Sequence, residues 1–71
     1  MNSSTDGIEE ATRLVAAGEE RKALQILHDA VDATHDPDVL RDIHELAAMA
    51  HESSQGFHKI EWHRLMIETE P

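Results

Sequence analysis

One segment, from Gly18 to Val31, limits the folds open to this chain more than any other. Its sequence is GEERKALQILHDAV. A glycine suited to a left-handed turn precedes a run in which small and bulky apolar side chains recur at helical spacing. The small residues are Ala23 and Ala30, and alanine on the apolar side of a helix lets a neighbouring helix come close. The pattern therefore predicts an amphipathic helix packed against another helix.

Three further segments have helical periodicity, and short connections separate them. We predict four helices, which run from Gly7 to about Ala17, from Glu19 to about Ala33, from Asp36-Pro37 to about Ser53 and from about Phe57 to Glu68. Turns are expected at Gly18, His35 and Gly56. Because short connections place consecutive helices antiparallel, the expected fold is all-α, with four short antiparallel helices in two stacked helical hairpins.

A chain of 71 residues is expected to form a single domain. We divide it into a disordered lead-in, a helical domain and a tail, at residues 1–6, 7–68 and 69–71. Asp6 followed by Glu9 has the form of a capping box, and Asp36 followed by Pro37 is typical of a helix start. The chain has no cysteine, so no disulfide can stabilise it, and tight helix packing or association must do so.

The fourth predicted helix is unusual because its apolar residues lie on two different sides. The first set consists of Phe57, Ile60 and Ile67, with Arg64 among them. The second set consists of Trp62, Leu65 and Met66. One neighbouring hairpin can cover only one side, so we predict that the first set packs inside and that the second set is the partner interface. Buried tryptophans dominate many protein interfaces, which favours this choice.

The first hairpin resembles a tetratricopeptide repeat, a helix-turn-helix unit of about 34 residues with small and large residues at set positions. The resemblance covers residues 7–37 and rests on Ala11, Leu14, Gly18, Ala23, Leu27 and Ala30. The family's tryptophan and leucine-glycine pair are absent, Leu14 stands where the family prefers tyrosine, and Pro37 comes about two residues late. Residues 38–68 match more weakly. The resemblance implies a TPR-like fold whose concave groove binds peptides or proteins, without catalytic residues.

The chain is strongly acidic, with fifteen Asp and Glu against six Lys and Arg and a formal net charge of −9. This charge disfavours binding to phosphate backbones and to anionic membranes, so neither nucleic acid nor membrane is an expected partner. Many of the acids lie near predicted helix starts, where they complement the helix dipole. An acidic inhibitor that imitates nucleic acid remains an alternative function, and it would need a continuous acidic face.

A cytoplasmic location is expected from three sequence features. No apolar run approaches the roughly 20 residues that cross a bilayer. The N-terminal residues lack the basic and apolar regions of a signal peptide. The absence of cysteine is also consistent with a reducing compartment.

Six histidines raise the question of metal binding or pH sensing; they are His28, His35, His44, His51, His58 and His63. His44 and His51 share a helix side but lie about 10 Å apart along the axis, which is too far for one metal ion. The pairs His58–Glu61 and His28–Asp32 supply only two ligands each. We therefore predict no metal site and no cofactor, and keep a metal- or pH-responsive regulator as an alternative function.

Catalysis has little support in the sequence. Ser53 and Ser54 lie beside His51, but they fall at a predicted helix end, where serine is a common terminator. There is no glycine-rich phosphate loop. Carboxylate pairs such as Glu9–Glu10 and Glu19–Glu20 are neighbours in sequence, so they diverge around the helix and do not face one another. We expect a protein that is not an enzyme. The leading hypothesis is a non-catalytic protein-interaction or adaptor module that binds a protein partner, a second copy, or both.

Overall fold

The computed structural model describes residues 3–70, with side chains for residues 7–70. The helices are α1 (Ser3–Ala16), α2 (Glu20–Ala33), α3 (Pro37–Ser53) and α4 (Phe57–Glu68). α1 packs on α2 and α3 packs on α4. The predicted all-α architecture of two helical hairpins is thus confirmed, and residues 3–70 contain no strand.

The first helix differs from the prediction at its start. α1 begins at Ser3 and not at Gly7, so residues 3–6 of the predicted lead-in are helical. Asp6 lies within the helix, and its predicted capping role is wrong because a cap residue must flank the helical turn. Residues 1 and 2 lie outside the described residues. A glycine inside a helix lowers the stability of the helix by about 1 kcal/mol relative to alanine. α1 continues through Gly7 in spite of this cost.

The first hairpin turn has the geometry that its glycine suggests. Gly18 adopts a φ of 83°, in the left-handed region that favours glycine. Its N–H donates to the Val15 carbonyl at 3.1 Å, and the Glu19 N–H donates to the Leu14 carbonyl at 2.8 Å. These two bonds form a Schellman motif, which satisfies carbonyls that the end of α1 would leave unpaired.

The start of α3 also follows its sequence. The Asp36 Oδ1 atom accepts a hydrogen bond from the Asp38 N–H at 2.9 Å, and Pro37 occupies the first turn. At the other end, the Ser54 N–H donates to the Ala50 carbonyl at 2.9 Å. The turn to α4 then passes through Gly56, whose φ is 65°. The predicted start of α3 at Asp36-Pro37 and its predicted end near Ser53 are both confirmed.

Every helix contributes apolar side chains to one core between the hairpins. Its buried members are Ala11, Ala23, Leu24, Leu27, Val39, Ile43, Leu46, Ala47, Ala50, Trp62 and Leu65. Leu27 is fully buried in this core. The buried alanines on all of the first three helices leave room for close helix approach.

The hairpins stack through three pairs of helices. α1 contacts α3, and α2 contacts both α3 and α4, whereas α1 and α4 do not touch within the described residues. α2 therefore has neighbours both before and after it in sequence. The first residue of the predicted tail, Thr69, is buried and belongs to the packed domain; Pro71 lies outside the described residues.

Candidate interaction surface

The two apolar sides of α4 are oriented opposite to the prediction. Trp62 and Leu65 are fully buried in the core, and Met66 packs partly against it. Phe57 and Ile60, which we predicted to lie inside, are 71% and 62% exposed. The predicted packing of α4 is therefore wrong, and the set formed by Trp62, Leu65 and Met66 does not present an outward surface.

The physical reason lies in α2, which also packs against this side of α4. The Trp62 indole N–H donates a hydrogen bond to Glu20 Oε1 at 2.9 Å, so the largest side chain of the chain has a polar partner inside. A buried tryptophan needs such a partner for its N–H. The side chains of phenylalanine and isoleucine have no N–H that could donate to Glu20. The side of α4 that carries Trp62 is therefore favoured to face inward.

The outward side of α4 carries a stripe of large apolar side chains, which we call the α4 stripe. It consists of Phe57, Ile60 and Ile67, which are 71%, 62% and 56% exposed. Arg64, also exposed, lies between them. Their spacing of three, four and three residues is that of a coiled-coil seam, so the four side chains line one face of the helix.

Among residues 7–70, one further large apolar side chain is exposed, and it lies apart from the stripe. Met49 on α3 is 64% exposed. At about 100° per residue, Met49 points roughly 160° away from His51, which faces α4 through its contact with His63. The α4 stripe is thus one local patch and not part of a general apolar surface.

The electrical charge of α4 differs from that of the other helices. α4 has two basic residues, Lys59 and Arg64, and two acidic residues, Glu61 and Glu68, so its formal charge is zero with neutral histidine. Each of α1, α2 and α3 has more acidic than basic residues. The −9 charge of the chain therefore lies outside the helix that carries the exposed stripe.

A polar cluster beneath α4 connects the two hairpins. Glu20, in the first turn of α2, accepts hydrogen bonds at the same Oε1 atom from the Ser54 hydroxyl and from the Trp62 indole. Ser54 is buried at the end of α3. His58 lies close enough to act on Glu20 by its charge, and its Nδ1 atom is buried without a hydrogen-bond partner among the described residues. The cluster fixes the position of α4 against α2.

The cluster also sets the ionisation of Glu20. The Ser54 hydrogen bond is the main cause that lowers the pKa of Glu20 below its ordinary value of 4.5. Burial opposes this effect, whereas the Trp62 hydrogen bond and the charge of His58 lower the pKa further. Glu20 is therefore a carboxylate at neutral pH, and it holds α4 by charge-assisted hydrogen bonds.

Neither serine beside His51 is arranged as a nucleophile. The Ser54 hydroxyl is buried and donates to Glu20, whose low pKa makes it a poor base. The Ser53 hydroxyl lies within hydrogen-bond distance of the Met49 and Ala50 carbonyls, at 3.4 and 3.3 Å. The Ser53 hydroxyl thus satisfies carbonyls near the end of α3, and the Ser54 hydroxyl satisfies the Glu20 carboxylate of α2.

The histidines have separate environments. His44 donates from Nδ1 to the Met66 carbonyl at 3.0 Å and lies 3.1 Å from the Thr69 hydroxyl, which connects α3 to the end of α4. The rings of His51 and His63 lie side by side, with centroids 5.5 Å apart. Within the part of the chain that the structure describes, no three His, Cys, Asp or Glu side chains form a metal-binding group.

Some of the acidic side chains are engaged within the chain. Glu10 forms an ion pair with Arg13 at 2.9 Å, and Glu19 forms one with Lys22 at 3.2 Å. Glu20 points into the hairpin junction. These contacts take three acids out of any continuous acidic face, which an imitation of nucleic acid would require.

A cleft of about 300 Å³ lies between the first half of α3 and the residues that follow α4. Leu40 and His44 line it, and its rim includes Arg41, Glu45 and Glu70. The rim thus carries charges of both signs. This arrangement gives the cleft no clear preference for an anionic or a cationic ligand.

No family model, curated protein or solved structure matches this chain. Within the described residues, no helix has the length and apolar character needed to pass through a bilayer. The tetratricopeptide resemblance therefore has no support outside the residues that suggested it. The role of the α4 stripe must therefore be inferred from the residues that form it.

Sequence analysis identified α4 as the unusual helix but missed the Glu20 cluster. The signal that could have found the correct orientation is the indole N–H of Trp62, which needs an acceptor when buried. Glu20 opens a helix in the other hairpin and is 42 residues away in sequence. Only a prediction of how the hairpins stack could have brought the two together.

Proposed function

We propose that this protein is an interaction module that self-associates through the α4 stripe. The observation that carries the proposal is the exposure of Phe57, Ile60 and Ile67 on one face of a helix with no net charge. Large apolar side chains that line one helix face are the usual contact residues of helix-in-groove and helix-pair recognition. The partner is a second copy of this chain, which brings the same stripe.

The size of the stripe supports a weak, concentration-dependent association. The exposed parts of its three apolar side chains amount to on the order of 350 Å² of surface, when the 150–250 Å² of an aromatic side chain is taken as an upper guide for each. Such a patch is within the range found at functional surfaces of monomers. Two such patches together bury less than the roughly 1,200–2,000 Å² of a stable complex. The expected product is a dimer in exchange with monomer.

The distribution of charge supports a twofold contact between α4 helices. A contact that placed the stripe of one copy on α1, α2 or α3 of another would press its apolar side chains against a helix with an excess of carboxylates, which would lose their water. The outward residues of α1 include Glu9, Glu10 and Arg13, which offer no matching apolar surface. Contact between two α4 helices keeps the acidic surfaces apart, and a twofold contact closes at the dimer.

We also propose that the two hairpins stack in the tetratricopeptide manner. Buried Ala11 and Ala23 and the left-handed Gly18 support this arrangement in the first hairpin. In such arrays each hairpin covers an apolar face of its neighbour.

Sedimentation equilibrium over a range of protein concentrations tests the proposal. The variant replaces the stripe by polar residues: Phe57→Ser, Ile60→Gln and Ile67→Gln. The matched control is Met49→Gln, which removes an equally exposed apolar side chain from a different helix. Circular dichroism of each protein shows whether the fold is retained.

The wild type and the Met49→Gln control should form dimers as the concentration rises, and the stripe variant should remain monomeric with unchanged helicity. A wild type that is monomeric at all concentrations would contradict the proposal. So would a dimer of equal affinity in the stripe variant.

A further inference from the structure

His51 and His63 bring two imidazole rings together from different helices. His51 lies near the end of α3, His63 lies in the middle of α4, and their ring centroids are 5.5 Å apart. The ring planes are tilted by 42°, so the rings are not stacked face to face. Within residues 7–70, neither ring takes part in a hydrogen bond, and neither has a buried unpaired nitrogen.

This separation is close to that of two imidazoles bound to one metal ion. In a metal-bound imidazole the ion, the ligating nitrogen and the ring centroid lie on one line. With a zinc–nitrogen bond of about 2.0–2.1 Å, a tetrahedral ion places the centroids of two such rings about 5.2 Å apart. The observed separation differs from that value by only a few tenths of an ångström. Small side-chain rotations can adjust such a difference without moving the backbone.

We propose that His51 and His63 form a binding site for a divalent transition-metal ion with a preference for imidazole nitrogen, such as Zn²⁺. The two rings would supply two ligands, and water would complete the coordination. Because α3 and α4 already pack against each other, the two rings are neighbours before the ion arrives. This lowers the entropy lost on binding.

The net charge of the chain as a whole favours cations, although α4 itself has no net charge. The chain has a formal charge of −9, and a negative field raises the local concentration of positive ions. His63 is exposed and His51 is half-buried, so an ion can reach the pair from solvent. With two protein ligands the site is weaker than a structural zinc site, which has four.

Metal binding here has a mechanical consequence. An ion held by both histidines links α3 to α4 and binds only the folded chain in this geometry. It should therefore stabilise the folded chain by an amount that rises with the logarithm of the ion concentration once that concentration exceeds the dissociation constant. The inference does not depend on self-association, because both ligands come from one chain.

Isothermal titration calorimetry with zinc chloride, in a buffer that does not bind metal, tests the site. The variants are His51→Ala and His63→Ala, and the matched control is His35→Ala, which removes an exposed histidine from the α2–α3 connection. Thermal unfolding with and without zinc gives a second readout. Repeating both measurements with the α4 stripe variant separates metal binding from dimer formation.

The wild type and the His35→Ala control should bind one zinc ion per chain and melt at a higher temperature with zinc. Each variant of the pair should bind at least tenfold more weakly and lose the thermal shift. The proposal is overturned if zinc does not bind the wild type at millimolar concentration. It is also overturned if His35→Ala weakens binding as much as the other two variants.

Discussion

The Trp62 indole nitrogen lies 2.9 Å from Glu20 Oε1, and this contact joins the second hairpin to the first turn of α2. Trp62 is fully buried, and Glu20 accepts a second hydrogen bond from Ser54 at the same oxygen. The pair determines which side of α4 faces inward. The exposed α4 stripe is a consequence of this choice, because the opposite face of the helix must point to solvent.

Trp62→Phe should destabilise the protein through loss of this hydrogen bond. The phenyl ring keeps much of the apolar contact but has no N–H for Glu20. A hydrogen bond to a charged group contributes about 1.5–3 kcal/mol, and the smaller ring adds a cavity cost. Urea unfolding should show a decrease of about 2–4 kcal/mol in the unfolding free energy. A decrease under about 0.5 kcal/mol, the size of a typical surface effect, would show that the contact is not important.

The low pKa of Glu20 makes the stability of the protein depend on pH in acid. Its folded pKa lies below the ordinary value of 4.5, chiefly because of the Ser54 hydrogen bond. The carboxylate thus stabilises the fold fully above the unfolded pKa, and this contribution is lost as the pH falls through the folded pKa. Glu20→Gln removes the ionisable carboxyl group but keeps an oxygen that can accept the hydrogen bonds of Ser54 and Trp62.

Urea midpoints measured between about pH 6 and pH 3 check this expectation. Below pH 4.5, the wild type should lose stability more steeply than Glu20→Gln. Parallel curves for the two proteins would mean that the pKa of Glu20 is not lowered by folding. Asp38→Asn, which removes an exposed carboxylate in the first turn of α3, is a control for general charge effects.

Local signals in the sequence predicted most of the fold. The glycine at position 18 and the Asp36-Pro37 pair each act over a few residues, and their helix boundaries are confirmed. The side of α4 that faces inward depends on Glu20, which is distant in sequence and belongs to the other hairpin. The periodicity of one helix does not show which distant residue its side chains will meet. The predicted outward orientation of Trp62 is therefore wrong.

The start of α1 shows a different limit. The predicted start at Gly7 rested on Asp6 and Glu9, which have the form of a capping box, and glycine itself has a low helix propensity. In the structure α1 continues through it to Ser3, and a Cβ at Gly7 would lie 3.5 Å from the Ile26 side chain. Propensity is a small energy, and the rest of the helix can override it. Helix ends are accordingly less predictable than helix centres.

Leu27→Ala should unfold much of the protein. Leu27 is fully buried in the core, and truncation of such a residue costs about 2–5 kcal/mol. A domain of this size has little stability to lose. Thermal unfolding by circular dichroism should show a large drop in the melting temperature. Met49→Ala, at an exposed position, should change it little, and an equal effect of both changes would show that Leu27 is not a core residue.

The two glycines at positions 7 and 18 should respond in opposite directions to alanine. Gly18→Ala forces alanine into a φ of 83° with open space around it, and the left-handed backbone costs about 1–2 kcal/mol. Gly7→Ala places a methyl group in ordinary contact with Ile26 inside α1. It should stabilise the protein by roughly 0.5–1 kcal/mol. Denaturant unfolding of both variants measures the difference, and a change of the same sign in both would contradict the assignment of the turn.

The most direct test of the proposed self-association is nuclear magnetic resonance of the backbone amides during dilution. If two α4 helices pair through the stripe, the amide signals of Phe57, Ile60, Arg64 and Ile67 should shift with protein concentration. Signals of α1 and of Met49 should stay in place. An absence of any concentration-dependent shift, or shifts centred on α1 or α2, would contradict the account.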